Sequence, residues 1–293
     1  MTIYIIISIL VLFVCLFVFV AYRQSENIIS KTIQRSKVNI FPDQLHLAFE
    51  NVIFKNKDGI TLKGWFLPAQ EESDKTIVFM HGWGMNKGSL LKNTVFLNKK
   101  YNLFYFDFRG AGESGDGKSS VGYIEVRDAL SAIEKLLQTR PEAAKSIGLY
   151  GIDSGAACAI YCGAHNSTVK CVITEGCYCS AEQTAIRRKK AANRFLCTPV
   201  LKLALYFAKR RSHIKPQDFS PDTNIGKLAG KALLIINGAD DTLTLDKDAA
   251  ELFALAKEPK ELWIVPNAAH TTAAEVAGQQ YKNRLEEFFN KNL

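Results

Sequence analysis

The stretch Leu149-Tyr150-Gly151-Ile152-Asp153-Ser154-Gly155-Ala156-Ala157 constrains this chain more than any other. An apolar run, Ile147 to Ile152, leads into it, and small residues, Gly155 to Cys158, lead out. The pattern predicts a buried strand, a very tight turn and a helix packed close against a sheet. Glycines two before and two after a central residue let the backbone crowd there and push the central side chain out at the carboxyl end of the strand, the logic of a G-x-nucleophile-x-G turn. In this register the central residue is Asp153. A register centred on Ser154 would set Ile152 where the turn needs a small residue, and is disfavoured on steric grounds.

The amino terminus carries the second strong signal. Thr2 to Tyr22 has no charged side chain and is dominated by Ile, Leu, Val and Phe. About 20 apolar residues span roughly 30 Å as a helix, the thickness of a bilayer core. A cleaved signal peptide is the competing reading, but no Lys or Arg precedes the run and no small-residue cleavage site follows it. The expectation is a single-pass membrane anchor at 2–22. Arg23, Lys31, Arg35 and Lys37 follow the span against Glu26 alone, which places the rest of the chain in the cytoplasm by the positive-inside rule. Residues 23–46 read as a linker, and 47–293 as one folded domain.

Within that domain the strand signals recur with helical signals between them. Val52-Ile53-Phe54 and Ile60 to Leu67 flank the hairpin-type turn Asn56-Lys57-Asp58-Gly59. Thr76 to Met80, Leu103 to Phe108, the strand before Asp153, Val169 to Thr174, Ala232 to Ile236 and Glu261 to Val265 are further strands. Helical spacing marks Val121 to Leu137 and a closing amphipathic helix at Gln279 to Phe289. This alternation predicts a mostly parallel sheet with helices on both faces. Chemistry in such sheets gathers at the carboxyl ends of the strands.

The formal charge of +8 invites a nucleic-acid reading until it is located. Between Gly176 and Pro216 stand Arg187, Arg188, Lys189, Lys190, Arg194, Lys202, Lys209, Arg210, Arg211 and Lys215, opposed only by Glu182. The rest of the chain is near neutral, and no nucleic-acid motif surrounds the segment, so a local electrostatic surface is expected and nucleic acid is not. Phe195 to Phe207 within it is apolar and flanked by basic runs. It suits a lid over a pocket, or an amphipathic helix on an anionic membrane. The seven cysteines lack paired CxxC spacing, so neither a metal nor a cofactor is expected.

Three further stretches fall at strand ends. In His81-Gly82-Trp83-Gly84 a tight turn can aim the Trp83 N–H inward, and the Ser154 N–H after Asp153 would be a second donor of an oxyanion hole. Asn237-Gly238-Ala239-Asp240-Asp241 offers a carboxylate that can orient a histidine. Pro266-Asn267-Ala268-Ala269-His270 follows the last strand. Each has a plain structural alternative: a glycine turn, an Asx turn, an incidental loop histidine.

Together these residues make the chain resemble the α/β-hydrolase superfamily, in particular its membrane-anchored, serine-aminopeptidase-like branch. The resemblance runs from about Leu47 to the end and rests on Asp58-Gly59, His81-Gly82-Trp83-Gly84, Asp107-Phe108-Arg109-Gly110-Ala111-Gly112-Glu113-Ser114, the turn at Asp153, Gly238-Ala239-Asp240-Asp241 and His270. It implies an α/β-hydrolase fold with a helical lid at about 176–224. It makes Asp241 the acid, with Asp240 as runner-up, His270 the base, Trp83 and Ser154 the oxyanion donors, and Asp107 and Arg109 structural.

The departure is Asp153, where most of that branch has serine. A carboxylate is ionised near neutral pH and needs no base. Its attack on an ester carbonyl would give a reactive anhydride, but its attack on an alkyl carbon with a good leaving group gives an enzyme ester. His270 would then activate water to cleave it. The expected function is hydrolysis of small or amphipathic molecules, lipid-like ones among them, through Asp153, His270 and Asp241. Asp is also a favoured helix N-cap, so a catalytically silent domain used for binding or scaffolding stands as the alternative. Of the leaving-group binders that such chemistry uses, no Trp follows Asp153, and Tyr178 and Tyr206 are the only tyrosines in the lid segment.

Overall fold

The computed structural model describes residues 2–29, 35–120, 122–180, 198–212 and 216–293. Its strands are β1 (Glu50–Lys55), β2 (Thr61–Leu67), β3 (Lys75–Met80), β4 (Asn102–Phe106), β5 (Ser146–Ile152), β6 (Val169–Glu175), β7 (Ala232–Gly238) and β8 (Lys260–Val265). They form one eight-stranded sheet in the order β1-β2-β4-β3-β5-β6-β7-β8. β1 and β2, and β2 and β4, pair antiparallel, while every later pair is parallel. β3 to β7 are buried almost throughout because helices cover both faces, which is why they read as continuous apolar runs rather than alternating ones.

On one face, α3 (Glu125–Thr139), α4 (Ser154–His165) and α6 (Asp246–Leu255) pack over Val78, Leu149, Val172 and Leu233. On the other, α2 (Lys87–Thr94) and α8 (Gln279–Asn292) cover Phe79, Tyr105, Ile173 and Leu234, with Val38, Ile40 and Phe41 packed beside them. α7 is the short helix Ala273–Ala277.

Several predicted limits shift for local reasons. The helix expected from Val121 begins only at Glu125. The Glu125 carboxylate accepts from the N–H groups of Ser120 and Gly122 and from the hydroxyls of Ser119 and Ser120, so it closes a loop where the periodicity suggested another turn. Val121 itself lies outside the described residues. The strand expected through Phe108 ends at Phe106, because the Asp107 carboxylate instead accepts from the N–H groups of Lys87 and Glu113.

The amino-terminal helix α1 covers Thr2–Ile29, past the expected end at Tyr22. Its segment Thr2–Glu26 is long and apolar enough to cross a membrane, a test that a signal sequence also passes. Of the expected lid, residues 181–197 and 213–215 lie outside the described ones, and with them Arg187 to Lys190, Arg194, Phe195, Cys197 and Lys215. The described part includes α5 (Thr198–Ser212), whose apolar side meets α1.

The residues of Asp107-Phe108-Arg109 brace the loops at the carboxyl edge. Lys87 and Asp107 form a fully buried ion pair at 2.6 Å, with the ammonium also 2.6 Å from Glu113. Arg109 forks onto Asp128 at 2.6 Å and reaches Asp58 at 2.8 Å. Removing one member of such a pair strands a buried charge, typically at a cost of about 3–5 kcal/mol.

Candidate active site

Asp153 sits at the apex of the β5–α4 turn with φ 52° and ψ −117°, a conformation that L residues rarely adopt. The flanking glycines are obligatory. A Cβ on Gly151 would run into the carbonyl of Gly155, and one on Gly155 into the carbonyl of Met80. Ser154 is the first residue of α4, already helical. The turn is thus centred on Asp153, and its N–H donates to the carbonyl of Glu175 at 2.9 Å.

The Asp153 carboxylate is buried, and its two oxygens face different partners. Oδ2 accepts the Trp83 N–H at 3.0 Å. Oδ1 lies 3.5 Å from Nε2 of His270. The Trp83 amide is aimed by its own loop. Gly84 takes φ 79°, and a Cβ on Gly82 would come within 3.0 Å of the Asp153 Cβ. The buried His81 locks the loop by accepting the Phe108 N–H at Nε2, 3.0 Å, and donating from Nδ1 to the Gly82 carbonyl at 2.8 Å. Burial lowers the His81 pKa, so it serves as a neutral strut.

On its other side His270 bonds Asp241, Nδ1 to Oδ2, at 2.7 Å. Asp241 is held by the N–H groups of Leu243 and Thr244, both at 2.8 Å, and by the Thr244 hydroxyl at 2.5 Å. Asp240, the runner-up acid, is exposed. Burial works against charge on His270, but its hydrogen bonds and ion pairs with Asp153 and Asp241 outweigh that and push its pKa up to about 9. Burial likewise opposes the ionised Asp241, yet the bonds from His270 and Thr244 hold its carboxyl below the usual range. The two acids that flank His270 thus favour its charged form.

Four residues here were not singled out in the sequence. Thr244 follows Asp241 by three positions, and a hydroxyl so close to an acid in a loop is a readable signal. Glu175, Tyr150 and Tyr281 gave no such signal, since they come from two strands and a distant helix. Glu175 ends β6, and its Oε1 accepts the Ala273 N–H at 3.2 Å, just past His270. Its Oε2 lies 3.0 Å from the Tyr150 hydroxyl and 2.6 Å from that of Tyr281, and the two hydroxyls are 2.5 Å apart. Both hydroxyls donate to that oxygen. Burial pushes the Glu175 carboxyl up, against the smaller opposing pull of its hydrogen bonds.

Of the two lid tyrosines, Tyr178 is fully buried beside Gly122, and Tyr206 is half exposed on α5. Cys158, Cys162, Cys171, Cys177 and Cys179 are buried free thiols. Burial raises the pKa of each, which leaves them unreactive at neutral pH.

No family model matches the chain. It is 27% identical over 289 residues to the uncharacterized protein YqkD of Bacillus subtilis, covering 97% of this chain and 93% of that one. It is 28% identical over 235 residues to the uncharacterized protein YfhR of Salmonella typhimurium, covering 76% and 75% of the two chains. Among solved structures it resembles the Pyrococcus furiosus esterase Pf2001, with a TM-score of 0.74 and 26% identity over 88% of this chain and 98% of that one. The fold is the α/β-hydrolase fold, and its structural neighbours include an esterase and an acylaminoacyl peptidase.

Proposed function

We propose that this chain is a membrane-anchored hydrolase in which Asp153 is the nucleophile, His270 the base and Asp241 its orienting acid. One observation carries the reading: His270 bridges the two carboxylates while the Trp83 N–H holds the second oxygen of Asp153. An aspartate serving only as a helix cap would have no need of the histidine or of an amide from another strand's loop. The hydrolase-fold neighbours support the class, and α1, with its basic flank, supports anchoring with the body in the cytoplasm.

Oδ1 attacks a saturated carbon, and the bond to the leaving group breaks with its electron pair. Asp153 becomes an alkyl ester and loses its charge, so His270 loses one of the two carboxylates that raise its pKa. Its Nε2 proton then departs to the leaving group or solvent, which turns an imidazolium into a general base. His270 next takes a proton from water, and the hydroxide adds to Cγ of Asp153. The negative charge that develops on Oδ2 meets the Trp83 N–H, with the Ser154 N–H as second donor. Collapse expels the alkoxide, which His270 protonates, and the Asp153 carboxyl then gives its proton back to His270. The sum is R–X plus water giving R–OH plus H–X.

The test is intact mass spectrometry of the His270→Ala variant after incubation with haloalkane, epoxide and ester panels. One alkyl adduct at Asp153 is expected, with turnover restored in the wild type. No adduct and no turnover across the panels would leave a silent domain used for binding. Ester turnover lost in Ser154→Ala and kept in Asp153→Asn would make Ser154 the nucleophile.

A further inference from the structure

The helix α5 of the expected lid segment packs against α1. Val200, Leu203, Ala204 and Phe207 of α5 recur at helical spacing and meet Phe17, Val20 and Ala21 of α1 in a cluster of their own. Tyr22 stands edge-on to Phe207, with ring centroids 5.6 Å apart. Ala21 and Ala204 are both at 0% exposure, and small residues at such a crossing let two helix backbones approach closely, as in membrane helix pairs. α5 therefore lies against the last turns of the apolar span, where the bilayer core gives way to headgroups.

Two connections lead from this pair to the carboxyl edge of the sheet. The chain leaves β6 at Gly176, where a Cβ would be 3.3 Å from Cε1 of His270, and α5 belongs to the segment that starts there. After α1, the Arg35 guanidinium bonds the carbonyls of Gly112 and Ser114 at 2.9 and 2.6 Å and the Asp116 carboxylate at 2.6 Å, all in the loop after β4. The six links from Ile29 to Arg35 span at most roughly 22 Å. The end of α1 is therefore tethered within that reach of the loop after β4.

The exposed side of this pair suits an anionic lipid surface. Lys202 and Arg210 of α5 are exposed, and the helix has no acidic residue. Tyr206 is 50% exposed on α5, and the ring of Trp83, whose amide serves the site, is 42% exposed. Such aromatic rings favour the membrane–water interface.

We propose that α5 is a second membrane contact, seated on an anionic bilayer beside α1, which turns the Asp153 site toward the lipid so that it draws amphiphilic substrates from the membrane. This rests on reading α1 as an anchor, and it gives the proposed hydrolase its substrate class.

The test uses the full chain in phosphatidylcholine vesicles, with and without phosphatidylglycerol. A fluorophore on Tyr206→Cys is compared with one on Leu255→Cys, each corrected for the unsubstituted chain. Leu255 is an exposed position that ends α6, before β8 begins, at the opposite edge of the sheet. Brominated lipids should quench the label at 206 several-fold more than the label at 255, and more so with phosphatidylglycerol. Equal quenching at the two positions overturns the proposal. Lys202→Glu with Arg210→Glu should abolish the gain from phosphatidylglycerol, and an unchanged gain would remove the anionic surface from it.

The second arm compares a bromoalkyl amphiphile held in the vesicles with 1-bromobutane in solution. Ala204→Phe, which wedges α5 from α1, should slow the first several-fold and leave the second unchanged. Equal effects on both overturn the substrate class, and retained 1-bromobutane turnover certifies the fold. If neither substrate turns over in the wild type, the chemistry assigned to Asp153 fails, and the quenching ratio still decides the membrane contact.

Discussion

Two buried acid clusters hold the loop of His270, and their surroundings push the acids in opposite directions. At the carboxyl edge, Asp153 and Asp241 close on His270, which helps hold the Asp241 carboxyl below its usual range. One layer below, Glu175 closes on Tyr150 and Tyr281, and burial pushes its carboxyl up. All three carboxylates are almost fully buried. Burial alone therefore does not set the charge. A cation within reach favours the ionised form. The upper cluster has the means for chemistry, and the lower one ties the Asp153 turn, through the Glu175 carbonyl, to the backbone of Ala273.

Replacing each acid by its amide should break this comparison most sharply. Asp153→Asn removes the proposed nucleophile, and single-turnover alkylation should fall by about 10⁴ or more, the scale of losing a covalent catalyst. Glu175→Gln keeps an acceptor for Ala273 and a donor for the tyrosines, so the same assay should stay within a few-fold of wild type. A large loss at position 175 would mean that the lower cluster is charged and takes part.

The next effect is on pH. The pKa of His270 is raised in the folded state, so its contribution to stability is complete below about 6.5 and is lost as pH rises through about 9. At about 1.4 kcal/mol per unit this amounts to at most about 3.5 kcal/mol, shared between the two carboxylates. Thermal melts between neutral and strongly alkaline pH should show the decline, and Asp153→Asn should shrink it. NMR of the imidazole should place the His270 pKa lower in that variant, and in the alkylated enzyme, than in the free protein. An unchanged imidazole pKa would disprove the coupling.

Smaller again is the loss of the Glu175 side chain. Glu175→Ala orphans the Ala273 N–H and a tyrosine hydroxyl, and each buried unsatisfied group costs about 1–3 kcal/mol. Chemical denaturation should register it. Smallest is the effect of Glu175→Gln on stability. The raised Glu175 pKa means that its contribution is present below the ordinary carboxylate pKa and is lost as pH rises through the higher folded value. The amide, which cannot ionise, should flatten the decline over that window.

The strand runs were legible in the sequence to within a residue or two because burial on both sheet faces leaves continuous apolar stretches. β6, β7 and β8 show this best. Asp153, Trp83, Asp241 and His270 were legible as candidates because each follows a strand at its carboxyl end. The α3 start was misread because helical spacing cannot register a side chain, Glu125, that folds back to cap the preceding loop. Nothing along the chain joined Tyr150, Glu175 and Tyr281, whose sequence separations far exceed any local period.

The sequence by itself determined the alternating elements, the glycine-flanked turn that only one register satisfies, and an amino-terminal helix long enough for a bilayer. These follow from local sterics and from periodicity, which need no partner. Tertiary structure alone decided which oxygen of Asp153 faces Trp83 and which faces His270, that Asp241 rather than Asp240 turns inward, that two tyrosines enclose Glu175, and that α5 lies on α1. Each of those depends on distances between segments far apart in the chain, and a distance of that kind sets both whether a carboxylate keeps its charge and which apolar face a helix covers.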